Sequence, residues 1–363
     1  MKRRDFVTKV GLGALAGGTL SAPAIKSAHA APKVLKMVTS WPKNFPGLGT
    51  GAREFGELLE AASGGRYQVK LYAGGELVHP LKCHDAVQEG TADLYHSAEY
   101  YYKGKSISLA FFTAVPFGFT ANEMDAWLLH GGGEKLWDEA NADFGIKALP
   151  CGNTGSQMGG WFKKEVNTLD DMKGLKMRMP GLGGDVLKAI GATALTLAGS
   201  EIMPALQAGT IDATEWVGPW NDLAFGFYKV AKYYYSPGFH EPGATLSLGI
   251  NKKFWDSLPK ADQQLFRACA YATNYSNFAE YNAKNSASLD TLINKHGVKL
   301  GEFSDEIFVA IGEASKDVLA DAGKKDAMAK KVYESFIKFR QEAVGWTKLS
   351  DQNYANKRAL VTF

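Results

Sequence analysis

Residues Ala205–Asp212 read ALQAGTID, and the same frame has already appeared at Ala86–Asp93 as AVQEGTAD, with five of eight positions identical. Each copy follows a stretch with helical spacing of apolar residues. Each is followed by a strand-like run that ends in aromatics, LYHSAEYYY after the first and ATEWVGPW after the second. The glycine suits the left-handed residue that closes a helix, and the threonine and aspartate turn the chain into the next strand. Two such helix–turn–strand units in matching surroundings predict two similarly built lobes.

The flanks of both copies agree. Upstream of the first, LKMVTSW is an apolar strand, and Pro42 and Pro46 break it. GAREFGELLEAASGG then has helical spacing and a glycine stop, and YQVKLYAGG reads as a strand. Strand, helix, strand opens a parallel α/β sheet. Around the second copy, GLKMRMPG is a short strand, and GATLSLGIN is a strand that crosses back to the first lobe. The expected division is 31–151 with 244–320 as the first lobe, 152–243 as the second, and 321–363 as a C-terminal helical segment. Residues 252–346 read as mostly helical, broken near NKHGVKLGEFS. Two α/β lobes of this kind leave a cleft, and the loops after their strands face into it.

Charge and composition narrow the function. The 363 residues are 45% hydrophobic and 22% charged, which is globular. The formal charge of +3 splits into +4 in the first thirty residues and −1 in the rest, which carries 36 basic and 37 acidic side chains. A near-neutral body offers no electrostatic basis for binding nucleic acid or an anionic membrane. Residues 1–30 read as an export signal. Paired Arg3 and Arg4 precede a short glycine-rich apolar run, and AHA offers a cleavage site near Ala30. The arginine pair fits the twin-arginine route, so the mature chain is expected in the periplasm. Cys83, Cys151 and Cys269 show neither a C-x-x-C pair nor metal-finger spacing and read as small buried side chains.

No nucleophile elbow and no H-E-x-x-H motif is present. GLGGD at Gly181–Asp185 lacks dinucleotide-binding spacing. The polar residues at strand exits are more informative. Arg178 ends GLKMRMPG, where its planar fork can hold a carboxylate or make an ordinary ion pair. Gln157 lies in CGNTGSQMGGW, as an amide acceptor for a cation or a hydroxyl, or as a surface loop residue. Glu215 leaves a buried strand beside Trp216, so its charge needs a cation, either an arginine or a metal ion with oxygen ligands. Glu241, in FHEPG, is a second candidate carboxylate. Trp41, Tyr100, Tyr101, Tyr102 and Trp220 crowd the same strand ends.

GLKMRMPG, QAGTIDATEWVGPWND and YSPGFHEPG, together with the twin-arginine leader, resemble the extracytoplasmic solute receptors of tripartite ATP-independent periplasmic (TRAP) transporters. The resemblance covers essentially the whole mature chain. It is nearest to the branch that binds 2-oxo acids such as pyruvate, or lactate, with a metal ion. It implies a two-lobed periplasmic-binding-protein-like α/β fold with the ligand between the lobes and no catalysis. It also implies that Arg178 clamps the substrate carboxylate. Gln157 and Glu215 would be side-chain ligands of a sodium or calcium ion, and Trp216 would add its backbone carbonyl. Glu241 would be a further acidic group at the site, and Tyr101 a substrate contact. The partners so implied are a small organic monocarboxylate and the TRAP membrane subunits, and in some relatives a second copy that exchanges the C-terminal helix. A receptor for C4-dicarboxylates or sugar acids is the alternative within the class; an exported metal-dependent enzyme with Glu215 as base is the alternative outside it.

Overall fold

The computed structural model describes residues 31–362, so the expected export signal at 1–30 lies outside the described residues. The strands in chain order are β1 (Lys33–Thr39), β2 (Tyr67–Tyr72), β3 (Leu94–Ser97), β4 (Ile146–Asn153), β5 (Gly160–Phe162), β6 (Lys176–Arg178), β7 (Thr193–Leu195), β8 (Ala213–Thr214), β9 (Tyr233–Ser236), β10 (Thr245–Asn251) and β11 (Lys299–Glu302). They form two sheets. The first runs β2-β1-β3-β10-β4 and the second β11-β9-β5-β8-β6-β7. In each, the parallel core is joined by antiparallel partners, β10 in the first and β5 in the second.

The sequence echo is a structural echo down to single atoms. In the first lobe, helix Cys83–Gln88 is followed by Gly90 at φ 81°, and in the second, helix Gly199–Ala208 is closed by Gly209 at φ 73°. Only glycine adopts that left-handed region without a Cβ penalty. The aspartate of each copy then ties its strand to a lysine on the neighbouring parallel strand. Asp93 accepts from the Lys36 backbone N–H at 2.8 Å, and Asp212 accepts from that of Lys176 at 3.1 Å. Each aspartate N–H in turn donates to the same lysine's carbonyl, at 3.0 and 2.7 Å. The repeated G-T-x-D is thus a device that starts a parallel strand in register.

β10 returns to the first sheet as GATLSLGIN implies, between β3 and β4. The expected first-lobe assignment of 244–320 needs correction in its last part. Lys299–Glu302 pairs in parallel with Tyr233–Ser236 at the edge of the second sheet. The following helix, Asp305–Gly323, lies against helix Gly181–Ala189, with Ile307 and Ile311 in the same apolar cluster as Met177, Met179 and Val186. Helix Lys260–His296 carries the chain there. It packs on β4 and helix Leu48–Ala62 at one end and on helix Pro219–Phe225 towards the other. The last long helix, Ala327–Leu349, then crosses back. Its Phe336 sits 4.1 Å from Phe119 and 5.3 Å from Trp127, ring to ring, in the first lobe. All three cysteines are free and buried. No helix among the described residues is long and apolar enough to cross a membrane.

Candidate functional site

Strand pairing brings the first two candidates together. β6 and β8 are parallel neighbours with Arg178 opposite Thr214, and the Glu215 N–H donates to the Arg178 carbonyl at 3.2 Å. The side chains therefore leave adjacent strand ends side by side, and both are fully buried. Arg178 Nη1 donates to Glu215 Oε1 and, at 3.3 Å, to the Glu215 carbonyl. Its Nε donates to the Leu197 carbonyl at 3.2 Å, and Nη2 to the Tyr101 hydroxyl at 3.3 Å. The guanidinium also lies 4.9 Å from the Trp216 ring centre, a cation–π distance. Burial opposes the Arg178 charge, but the Glu215 carboxylate and the nearby Tyr101, Tyr100 and Glu241 raise its pKa. It stays a cation.

Gln157 arrives from the other side of the cleft floor, in the loop between β4 and β5. Its backbone N–H donates to the Glu241 carbonyl at 3.1 Å, and its carbonyl accepts from Gly238 at 2.9 Å. The side-chain amide nitrogen donates to Glu241 Oε2 at 2.8 Å and to the Thr154 hydroxyl at 2.9 Å. That use of the nitrogen leaves Gln157 Oε1 buried without a partner. Glu215 Oε2 is in the same condition. Burial first, and then the charge of Glu215, push the Glu241 carboxyl well above the usual carboxylate range. Two carboxylates and one guanidinium therefore share a dry site, with two lone oxygens left over.

Beside them lies a small cavity, lined by Gln157, Glu241, Trp216, Tyr100, Tyr101 and Trp41, among others. Larger hollows lie elsewhere, one beside Lys163 and Asp212 and one between Phe117 and Tyr333. Neither is lined by a buried charged group, so the small central cavity carries the chemistry. At the cleft mouth Lys103 of the first lobe reaches Gly181 O at 2.6 Å and Asp185 Oδ2 at 2.5 Å in the second, holding the lobes together.

Of the six candidates from the sequence, Gln157, Tyr101, Trp216 and Glu241 line the cavity, and Arg178 and Glu215 lie next to it. Arg178 is bonded to Tyr101, and Glu215 has a ligand atom within 4.8 Å of one on Glu241. The run Glu99–Tyr102 is a short 3₁₀ turn, and its three residues per turn fan successive side chains apart. Tyr100 and Tyr101 line the cavity, whereas Tyr102 turns away to donate to Ser97 Oγ at 2.7 Å. Sequence reasoning missed His240 and Trp41's support. His240 is buried with its Nε2 3.4 Å from Glu215 Oε2, and only its adjacency to Glu241 in FHEPG marked it. Trp41 donates its indole N–H to His96 Nδ1 at 2.8 Å, and His96 Nε2 faces the Cys151 carbonyl at 3.0 Å. Burial holds His96 near pKa 4, so it stays a neutral acceptor for Trp41.

Comparison with known proteins gives this arrangement a family. The model of bacterial extracellular solute-binding protein, family 7 (DctP), matches residues 37–326. A monocarboxylate 2-oxoacid-binding periplasmic protein of Nostoc sp. is 43% identical over 323 residues, covering 88% of this chain and 88% of that one. A TRAP periplasmic solute-binding protein from Pseudoalteromonas atlantica, solved with bound sodium and pyruvate, superposes with a TM-score of 0.87 at 37% identity, covering 90% of this chain and 99% of that one. A second, from Colwellia psychrerythraea with bound calcium and pyruvate, gives the same TM-score of 0.87, the same 37% identity and the same coverage of 90% and 99%. The two-lobed fold, the buried arginine and the match over most of the chain agree: it belongs to the DctP family of bacterial extracellular solute-binding proteins, the solute receptors of TRAP transporters, and is a binding protein rather than an enzyme.

Proposed function

We propose that this receptor captures a small 2-oxo monocarboxylate such as pyruvate, or its 2-hydroxy counterpart lactate, together with a sodium or calcium ion, and delivers it in the periplasm to TRAP membrane subunits. The observation that carries the reading is the pair of buried oxygens without partners, Gln157 Oε1 and Glu215 Oε2, beside a fully buried arginine. An orphaned buried acceptor costs about 1–3 kcal/mol, and a cation removes that cost. Gln157 and Glu215 offer oxygen donors, which suit hard ions such as sodium and calcium. The bound ion would supply a positive centre shared by protein and substrate oxygens. Trp216 would add its carbonyl to that centre, and Glu241 would border it.

The chain's own residues do the rest. Arg178 presents its fork to the substrate carboxylate, and Tyr101, bonded to that fork, positions it. Tyr100 and Trp41 close the walls and exclude water. Closure then follows from a ligand that contacts both lobes, Arg178 in the second and Tyr100 and Trp41 in the first, and so binds the closed state better than the open one. Calorimetry of the chelator-treated protein with pyruvate tests this. Affinity should rise at least tenfold when calcium or sodium is restored, and ion-independent affinity would remove the metal from the reading.

The second partner is another copy of this chain. The Thr347 hydroxyl still donates to Glu123 of the first lobe, but towards and beyond this point Trp346, Leu349, Tyr354 and Leu360 are 70%, 72%, 66% and 78% exposed. Such a run of large apolar side chains on one segment supports a helix-mediated homodimer. Sedimentation should give twice the chain mass for the full protein and a monomer after deletion of residues 341–363. A monomeric full-length chain at micromolar concentration would refute the dimer.

A further inference from the structure

His240 changes what the ion pocket can accept. Its side chain is buried, and neither ring nitrogen has a hydrogen-bond partner. Nε2 faces Glu215 Oε2 at 3.4 Å, and that oxygen is free because Arg178 occupies the other one. Ligand atoms of Glu215, His240 and Glu241 all lie within 4.8 Å of one another. Two ligands each about 2.1 Å from a tetrahedral ion stand about 3.4 Å apart, the separation found here for nitrogen and oxygen. The third member, within 4.8 Å of the others, reaches that separation with a side-chain shift of about 1.4 Å or less.

We propose that Glu215, His240 and Glu241 form a mixed nitrogen–oxygen site for a zinc-class divalent ion, a competitor for the pocket that otherwise takes sodium or calcium. Imidazole is a poor ligand for hard ions and a good one for zinc, which makes His240 the selective element. Two carboxylates and one neutral imidazole are also a donor set seen in zinc centres. The inference rests on reading this pocket as a cation site, and because both ions use Glu215, zinc and calcium exclude each other. A zinc-loaded receptor would hold its substrate differently or not at all, so the metal would act on solute capture.

The test is a calorimetric titration of the chelator-treated mature chain with zinc chloride, with zinc-edge absorption spectroscopy of the loaded protein. One zinc per chain is expected, with imidazole scattering in the spectrum. His240→Gln keeps the volume and loses the imidazole. It should cut zinc affinity on the order of 100-fold, at least ten times more than it cuts calcium affinity. Equal losses for the two metals, no zinc binding, or a spectrum without imidazole would overturn the proposal. The spectrum uses the unaltered protein, so it decides even if the variant folds poorly. Calcium-dependent pyruvate affinity, measured on the same preparation, reports separately on the solute reading.

Discussion

Replacing Arg178 by lysine is expected to lower pyruvate affinity about 100-fold, which corresponds to about 2.7 kcal/mol. Nε and Nη1 are held by Leu197 and Glu215, so the substrate carboxylate would meet the Nη2 edge of the planar guanidinium. A charge-assisted hydrogen bond there is worth about 1.5–3 kcal/mol. A lysine ammonium, a point charge on a flexible stem, does not reproduce that fixed geometry. Lysine is the informative change because it keeps a cation opposite Glu215. Alanine would leave that carboxylate buried and unpaired at a cost of about 3–5 kcal/mol in stability, mixing binding with folding. Calorimetry with pyruvate and a urea titration together separate the two. A lysine variant that binds within threefold of the parent protein would mean that the fork does not hold the substrate.

The second large effect is on stability. Asp222→Ala should cost about 3–5 kcal/mol, read as a lower urea midpoint. Asp222 is fully buried and accepts from the Trp161 indole at 2.9 Å, the Tyr234 hydroxyl at 2.7 Å and the Val217 N–H at 3.3 Å. Removing it orphans three donors at once. Through Val217 it also steadies the Glu215–Trp216 turn, so ligand affinity should fall with stability. Burial pushes its carboxyl up to about 7. Between about pH 4 and 7 the unfolded chain therefore binds fewer protons at this position than the folded one. Its contribution is complete below pH 4 and is lost as the pH rises through 7. Glu99, also raised to about 7 by burial, acts in the same direction. His84 and His96, depressed to about 4, act in the opposite one, adding stability between pH 4 and 6.5. Asp222→Asn should thus flatten the decline between pH 5 and 7.5; an unchanged slope would assign that decline to other groups.

The features read correctly from sequence were those in which chemistry and position are both local. A glycine that must be left-handed and an aspartate that ties one strand start to a neighbour lie within a few residues, so AVQEGTAD and ALQAGTID revealed both lobes. Arg178 and Glu215 were visible as strand exits, and strand pairing then set them side by side. What stayed hidden depended on distant partners. VKLGE looks like a break in a helical region, and it becomes a strand only because Tyr233–Ser236 offers an open edge. The three tyrosines could not be placed in register because a strand and a 3₁₀ turn aim them differently. His240 stood next to a candidate carboxylate, but its partner Glu215 lies 25 residues earlier, and only the meeting of β8 with the loop after β9 brings them together.

The route taken by the chain after β10 has a consequence for how the molecule comes apart. Helix Lys260–His296 leans on both lobes, β11 completes the second sheet, and the last long helix buries Val332 and Phe336 in the first lobe. Neither lobe is therefore a continuous piece of chain that owns its whole core. The lobes can move as bodies about the crossings, yet each lacks part of its covering if the other is lost. They are two halves for binding and one cooperative unit for unfolding, so damage to the core of one half is paid in the population of both.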